Sequence, residues 1–309
     1  MKILLFTTGG TIASVIDDDV IDVTPQGKLL VLKKYREIDK ETDFDVVSPV
    51  NILSENIMLS DYKTIVKEFS KIDFDAYDGI IVTHGSDTLA YTSALLSLLF
   101  SDIRKPMCVV AADKSLQDEK SNGMDNFIVA VELIRKGING VFVPYRNSDS
   151  VVYIHYAQHL FESDTLSDDF YSYGGAFARY ENSAFELCDR EKTEIYTIDR
   201  KCADLSFSKK IMQVMPYPDL DYSRIDVKGL DFVLHRTYHA GSVCAVKDAD
   251  KCITALIDKC KNENVSLYIC GLKKGKANYY SMSDTLSKGV NVLYDMAPAC
   301  AYMKLMLEG

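Results

Sequence analysis

Two short polar clusters break into an otherwise apolar N-terminal half: Thr7-Thr8-Gly9-Gly10-Thr11 and Thr83-His84-Gly85-Ser86-Asp87-Thr88. Each follows an apolar run, KILLF and GIIV, that reads as a buried strand. The residue types suit the binding of a small polar ligand. A carboxylate at a helix start can hold an ammonium group, while the hydroxyl beside it positions a water or holds a carboxylate. The paired glycines let backbone amides approach a ligand closely. Plainer readings stand beside these. TTGG alone is also an ordinary Thr-rich turn, and Ser86 or Asp87 an ordinary N-cap. One cap explains one polar residue, not six in a row. The first cluster is not a dinucleotide fingerprint, because G-x-G-x-x-G is absent.

The elements around these clusters alternate between β-branched runs and helical patterns, as in a wound α/β sheet. The pattern predicts strands at KILLF, GIIVT, MCVVAA and GVFVPY. It predicts helices in SDYKTIVKEFSKI, capped by Ser60 or Asp61, in LAYTSALLSLLF, and in NFIVAVELIRKG with Gly137 as its stop. Residues 150–210 are irregular and rich in Tyr, Asp and Ser. A second α/β pattern begins near IMQVMPYPDLDY. It continues through DFVLHRTY, the helix DADKCITALIDKCKNEN, the strand VSLYICG and a last helix in PACAYMKLMLE. The expected organisation is an N-terminal domain over 1–190, a linker over 191–208 and a C-terminal domain over 209–309. Ligands of such sheets bind beyond the carboxyl ends of the strands, where both clusters fall.

Composition narrows the function classes. The 309 residues allow a large core, and a net charge of −10 argues against nucleic-acid partners, which need concentrated Lys and Arg. Basic clusters such as Lys33-Lys34 and Lys273-Lys274 are short and read as solvated faces. MKILLFTTGG lacks the long apolar region of a secretory signal, and no segment has the length to span a bilayer. The eight cysteines form no CxxC pair and read as buried free thiols of a cytoplasmic protein. No cofactor is expected, and no metal site. His155/His159 and His235/His239 are spaced i, i+4, but no Glu stands between either pair as in H-E-x-x-H. Asp17-Asp18-Asp19 reads as a solvated loop tip.

TGGTIA at 8–13 together with THGSDT at 83–88 resembles the paired signatures of the bacterial asparaginase/glutaminase family, whose usual second motif is HGTDT. LSEN at 53–56, VVAADKSLQDEKSNGMDNF at 109–127 and DMAPACAYMKLM at 295–306 extend the likeness over essentially the whole chain. The resemblance implies a larger N-terminal domain with a parallel-rich sheet and a smaller, Rossmann-like C-terminal domain. It implies a cytoplasmic, threonine-nucleophile amidohydrolase of L-asparagine, assembled as a homodimer or homotetramer. Thr11 would be the nucleophile, with Ser86 in the place of the family's second catalytic threonine and Asp87 beside it. Gly10, Ser54, Glu55, Gly85 and Ala112 would line the substrate, with backbone amides near Gly10 and Ser86 facing the oxyanion.

The chain also departs from the family. There is no Lys anywhere from 137 to 191, where the family's catalytic lysine lies, and SVVYIHYAQHLF offers His155 and His159 as replacement proton handlers. The lid segment SVIDDDVIDVTPQGKLL holds no tyrosine, the first being Tyr35, and Ala299 or a neighbour stands where some members carry a glutamate. Two rivals follow: a relative acting on another small amide, and a non-catalytic sensor that binds an amino acid without turning it over.

Overall fold

The computed structural model describes residues 1–17, 20–23, 25–191, 193–246 and 249–308. Asp18 and Asp19 of the expected loop tip lie outside the described residues. The chain divides into two compact units, Met1–Phe207 and Ser208–Gly309.

In the first unit the order is β1 (Lys2–Thr7), β2 (Ser14–Asp17), β3 (Val20–Val23), α1 (Pro25–Ile38), β4 (Asp43–Val47), α2 (Leu59–Phe69) and β5 (Gly79–Thr83). It continues with α3 (Leu89–Phe100), β6 (Pro106–Val110), α4 (Gly123–Arg135), β7 (Gly140–Arg146), β8 (Val152–Tyr156), β9 (Ala178–Glu181) and β10 (Ala184–Leu187). The main sheet has the order β10-β9-β8-β7-β6-β5-β1-β4. Its central strands β5 and β6 are buried at every position, because helices cover both faces of a parallel sheet. Helix α3 is apolar nearly all round and accordingly buried, whereas α2 buries only the face bearing Tyr62, Ile65, Val66 and Phe69.

The parallel strands, β4-β1-β5-β6-β7, follow the 2-1-3-4-5 winding whose reversal point lies between its first and third strands, here β1 and β5. The turn after β1 and the turn after β5 carry the two polar clusters. Chain topology thus delivers both to one crevice.

Three local expectations change. Helix α2 begins at Leu59, with Met58 rather than Ser60 or Asp61 in the cap position; Asp61 reaches back to accept the Met58 amide at 2.8 Å. The irregular stretch contains β8, β9 and β10, which extend the sheet in antiparallel fashion from β7. These strands are short and partly exposed, so they lack the long apolar runs that marked β5 and β6. Finally, the segment read as the linker hydrogen-bonds to the first unit: the Ile198 amide donates to Leu98 O at 2.8 Å, and Arg200 pairs with Asp102.

The second unit contains β11 (Ile211–Val214), β12 (Phe232–His235), α5 (Ile253–Asn262), β13 (Ser266–Leu272), α6 (Tyr280–Ser287), β14 (Asn291–Tyr294) and α7 (Pro298–Met306). Its sheet, β11-β12-β13-β14, is parallel throughout. Its core gathers Val233, Ile253, Leu256, Ile257, Ile269 and Met282. The cysteines are free thiols, but only Cys108, Cys252, Cys260, Cys270 and Cys300 are buried; Cys202 is exposed. Among the described residues no helix is long and apolar enough to cross a membrane.

Candidate active site

Strands β1 and β5 run in register to Thr7 opposite Thr83, and the next residue closes the pair. Thr8 donates to Thr83 O from both its amide, at 3.1 Å, and its hydroxyl, at 2.9 Å. The chain then turns sharply through Gly9 and Gly10, at φ values of +116° and +80°. A side chain on Gly10 would place its Cβ 2.2 Å from the Gly85 amide nitrogen, so the two glycine turns lie back to back. A Cβ on Gly85 would in turn meet Ser54 Oγ at 2.3 Å. Glycine at these points is what lets three backbone turns converge.

The turn bearing Ser54 is tied in on both sides. Ile52 exchanges hydrogen bonds with the first cluster, its amide donating to Thr8 O and its carbonyl accepting from the Gly10 amide, each at 3.1 Å. Ser54, buried, donates to Asp87 Oδ2 at 2.8 Å, and the Thr88 hydroxyl donates to Ser54 O at 3.0 Å. Thr11 opens a short helical turn, Thr11–Ala13, directly after the glycines and is half-buried. Ser86 is half-buried, while Asp87 and Glu55 are exposed. Gly10, Thr11, Ser54, Glu55, Gly85, Ser86 and Asp87 thus come from three turns in mutual contact.

The expected oxyanion donors are only partly free. The Gly10 amide is committed to Ile52 O. Among the described residues the Ser86 and Asp87 amides donate no hydrogen bond, which leaves them available at the start of α3. Ala112 lies just beyond β6, fully buried against the first turn of α4, where a Cβ on Gly123 would be 2.8 Å from its own. Among the described residues no hydrogen bond ties it to the Ser54–Asp87 set.

His84, which sequence reasoning left without a role, holds the second turn in place. It is buried, with Nδ1 2.8 Å from Gly85 O and Nε2 2.7 Å from Thr92 Oγ1. A carbonyl can only accept, so Nδ1 carries the proton and Nε2 accepts from Thr92. Burial depresses its pKa to about 4, which keeps the ring neutral, as this bonding requires. The signal in the sequence was Thr92, a buried hydroxyl eight residues along in an apolar helix.

His155 and His159 do not join the site. In β8, which runs antiparallel to β7, His155 pairs with Val143, and Tyr156 with Phe142, which neighbours Cys108 of β6. The chain therefore runs away from the crevice, and residues 157–159 fall at the opposite edge of the sheet from Thr83 and Val110. His155 bonds Ser172 at 2.6 Å; His159 contacts Thr193, Arg190 and Glu194 O. Burial pulls their pKa values to about 3 and about 4, leaving both poor bases. They are also on a strand and a separate turn rather than on one helix face. His235 is buried in β12 against the Tyr222 hydroxyl at 2.9 Å. Among the described residues no group of three or more His, Cys, Asp or Glu side chains is placed to hold a metal. Tyr35 is a core residue, edge-on to Phe44 and Phe127, and not part of a lid.

Comparison with known proteins adds to this geometry. A family model described as "Asparaginase, N-terminal" matches residues 2–176. A glutamyl-tRNA(Gln) amidotransferase subunit of Methanobrevibacter smithii is 26% identical over 98% of this chain and 71% of that protein. The L-asparaginase of Thermococcus kodakarensis is 32% identical over 47% of this chain and 44% of its own length. Among solved structures, the thermostable L-asparaginase from Thermococcus kodakarensis superposes with a TM-score of 0.76 at 22% identity, covering 99% of this chain and 92% of that one. The probable cytoplasmic L-asparaginase from Campylobacter jejuni gives 0.72 at 20% identity, covering 99% and 94%. At these identities the structural likeness speaks for the fold, and both neighbours share it.

Proposed function

The chain belongs to the asparaginase family, and from that premise we propose that it hydrolyses the side-chain amide of L-asparagine, with Thr11 as nucleophile. The observation that carries this reading is the three-turn contact in which Gly10 abuts Gly85 and Ser54 bonds Asp87. In the proposed reaction Asp87 and Glu55 hold the substrate's ammonium group and Ser54 its carboxylate. The Thr11 hydroxyl attacks the amide carbon while the Ser86 amide stabilises the oxyanion; the Thr11 proton passes to the amide nitrogen, the C–N bond breaks, and ammonia leaves an ester on Thr11. Water held by the Ser86 hydroxyl then adds to the ester carbon, and its proton returns to the Thr11 oxygen as aspartate is released. The expected homodimer or homotetramer and a cytoplasmic location belong to the same proposal.

A second reading has its own support, because relatives matched over 98% of the chain are named as glutamyl-tRNA(Gln) amidotransferase subunits. In that reading the same amide chemistry supplies ammonia to a tRNA-linked reaction. One experiment tests both: ammonia release from a panel of small amides, with Thr11→Ala as control and with glutamyl-tRNA(Gln) added in a parallel series. Release from L-asparagine that is lost in Thr11→Ala supports the first reading. Preference for L-glutamine, with a rate raised by the tRNA, replaces it with the second. Folded protein that releases ammonia from no amide rejects both, and asparagine-induced thermal stabilisation in that case marks a sensor.

A further inference from the structure

Where β7 ends, the chain turns back into β8 through a tight hairpin: the Asn147 amide donates to Val151 O at 3.1 Å, with Ser150 at a φ of +67°. A second segment, residues 169–176, is stapled to that hairpin. The Asn147 side chain donates to Phe170 O at 2.9 Å and accepts the Phe170 amide at 3.1 Å. Further along, Ser172 forms an antiparallel bridge with Leu160. Hairpin and segment enclose a cavity of about 370 Å³, lined by Asp149, Tyr153, His155, Asp169, Phe170 and Tyr171 among others. That volume falls in the range of small-molecule sites. None of Thr11, Ser54, Glu55, Ser86 or Asp87 lines it.

The lining is open, aromatic and negative. Tyr171 is 56% exposed, Asp149 is exposed and Tyr153 half-buried. Each of the two tyrosine rings is tied by its hydroxyl to one carboxylate of the same lining. Tyr153 donates to Asp149 Oδ2 at 2.9 Å, and Tyr171 to Asp169 Oδ2 at 3.3 Å. Two ring–carboxylate pairs therefore border one space. Among the described residues no Lys or Arg lines it. Arg179, opposite Tyr153 in the β8–β9 ladder, is committed to Glu186 at 2.9 and 2.6 Å. His155 is bonded to Ser172 and kept neutral by burial, so it adds no positive charge. The carboxylates are already served by protein donors. Asp169 also accepts the Ser148 amide and hydroxyl at 2.7 and 2.8 Å, and Asp149 the Val151 amide at 3.0 Å. They offer charge rather than unmade hydrogen bonds. A cation rich in N–H donors gains less from them than one whose charge is spread over methyl groups, and aromatic rings attract the latter through their quadrupole and by apolar contact.

We propose that this cavity is a second ligand site that takes a small quaternary-ammonium cation, with the Tyr153 and Tyr171 rings against its methyl groups and Asp149 and Asp169 balancing its charge. The site does not depend on the amidohydrolase reading, since its test is binding.

The test is thermal unfolding of the full chain against choline chloride, ammonium chloride and 3,3-dimethylbutan-1-ol, the uncharged isostere of choline, at constant total chloride. Choline should raise the melting temperature saturably, while ammonium and the isostere raise it less or not at all. Tyr171→Leu, at an exposed position, should leave the ligand-free protein as stable and raise the choline midpoint roughly three- to tenfold. Tyr153→Phe keeps the ring and should leave the midpoint within about twofold of its original value. Asp149→Asn, also exposed, should raise it by roughly threefold or more. If Tyr171→Leu fails to fold, Asp149→Asn carries the test. A shift with the isostere equal to that with choline reduces the cavity to an apolar hollow, and one with ammonium reduces it to its carboxylates. Either result, or unchanged midpoints in Tyr171→Leu and Asp149→Asn, overturns the proposal.

Discussion

The 2.8 Å bond from Ser54 to Asp87 makes a separable prediction at the scale of single residues. A hydrogen bond to a charged group contributes about 1.5–3 kcal/mol, less where the carboxylate is exposed as here. Ser54→Ala should therefore raise KM for the amide roughly tenfold and change kcat by less than about threefold, the signature of lost ground-state binding. Steady-state kinetics of ammonia release decide it; a fall in kcat with KM unchanged would move Ser54 out of substrate binding. Gly10→Ala tests the convergence itself. Its Cβ would lie 2.2 Å from Gly85 N at a φ of +80°, so strain of about 1–3 kcal/mol comes before the clash. The expected result is a lower melting temperature with activity lost, and a variant of normal activity would refute the close contact. At this scale the sequence was most informative at Gly10, Ser54, Gly85 and Asp87, which the structure brings into contact. It misled at His155 and His159, because the strand bearing His155 runs the wrong way and leads to a turn with His159 at the far end of the sheet. Side-chain chemistry is local, but strand direction is set by pairing, which the residues themselves do not announce.

Elements explain why the crevice stays formed. Helix α3 starts at Leu89 with no side-chain cap on its free amides. Its first turns are anchored instead by Thr92 donating to His84 Nε2 at 2.7 Å, which links the helix to the residue just beyond β5. Thr92→Val keeps the shape and removes the donor, leaving a buried imidazole acceptor unpaired. The cost should be about 1–3 kcal/mol, read as a lower denaturant midpoint with an unchanged slope. An unchanged midpoint would mean that His84 finds another partner. Long, evenly buried or strongly amphipathic elements were legible from the sequence; Leu89–Phe100 coincides with the apolar run LAYTSALLSLLF. The strands Val152–Tyr156, Ala178–Glu181 and Ala184–Leu187 were not, because these short antiparallel strands carry no continuous buried apolar run. Helix α1 was hidden by its neighbourhood, since PQGKLLVLKKYREI follows a Thr-Pro turn signal in a segment read as lid.

On the scale of the whole molecule, buried histidines set the acid limit. His84, His155 and His159 of the first unit and His235 of the second are held neutral by burial, with pKa values lowered to about 4, 3, 4 and 4. In the unfolded chain each titrates near the ordinary value of about 6.5. Above that value both states are neutral and stability is independent of these groups. As pH falls from 6.5 towards 4 the unfolded chain takes up protons that the folded one refuses, so stability is lost with a slope approaching about 1.4 kcal/mol per pH unit for each histidine. Asp39 acts in a different window: hydrogen bonds led by the Thr42 hydroxyl lower its pKa to about 2, so its contribution is lost only as pH falls below the usual carboxylate range. With three of the four buried histidines, the first unit should lose stability more steeply than the second between pH 6.5 and 4. Calorimetry at half-unit pH steps should show a melting transition that falls over this range while activity and fold at pH 7 are unaffected, and His155→Phe should flatten the curve by removing one proton's worth of slope. A melting temperature constant from pH 7 to 5 would mean that these rings are charged or solvated in the folded chain. It would also undo the neutral His84 tautomer on which the geometry of the Gly85–Asp87 turn depends.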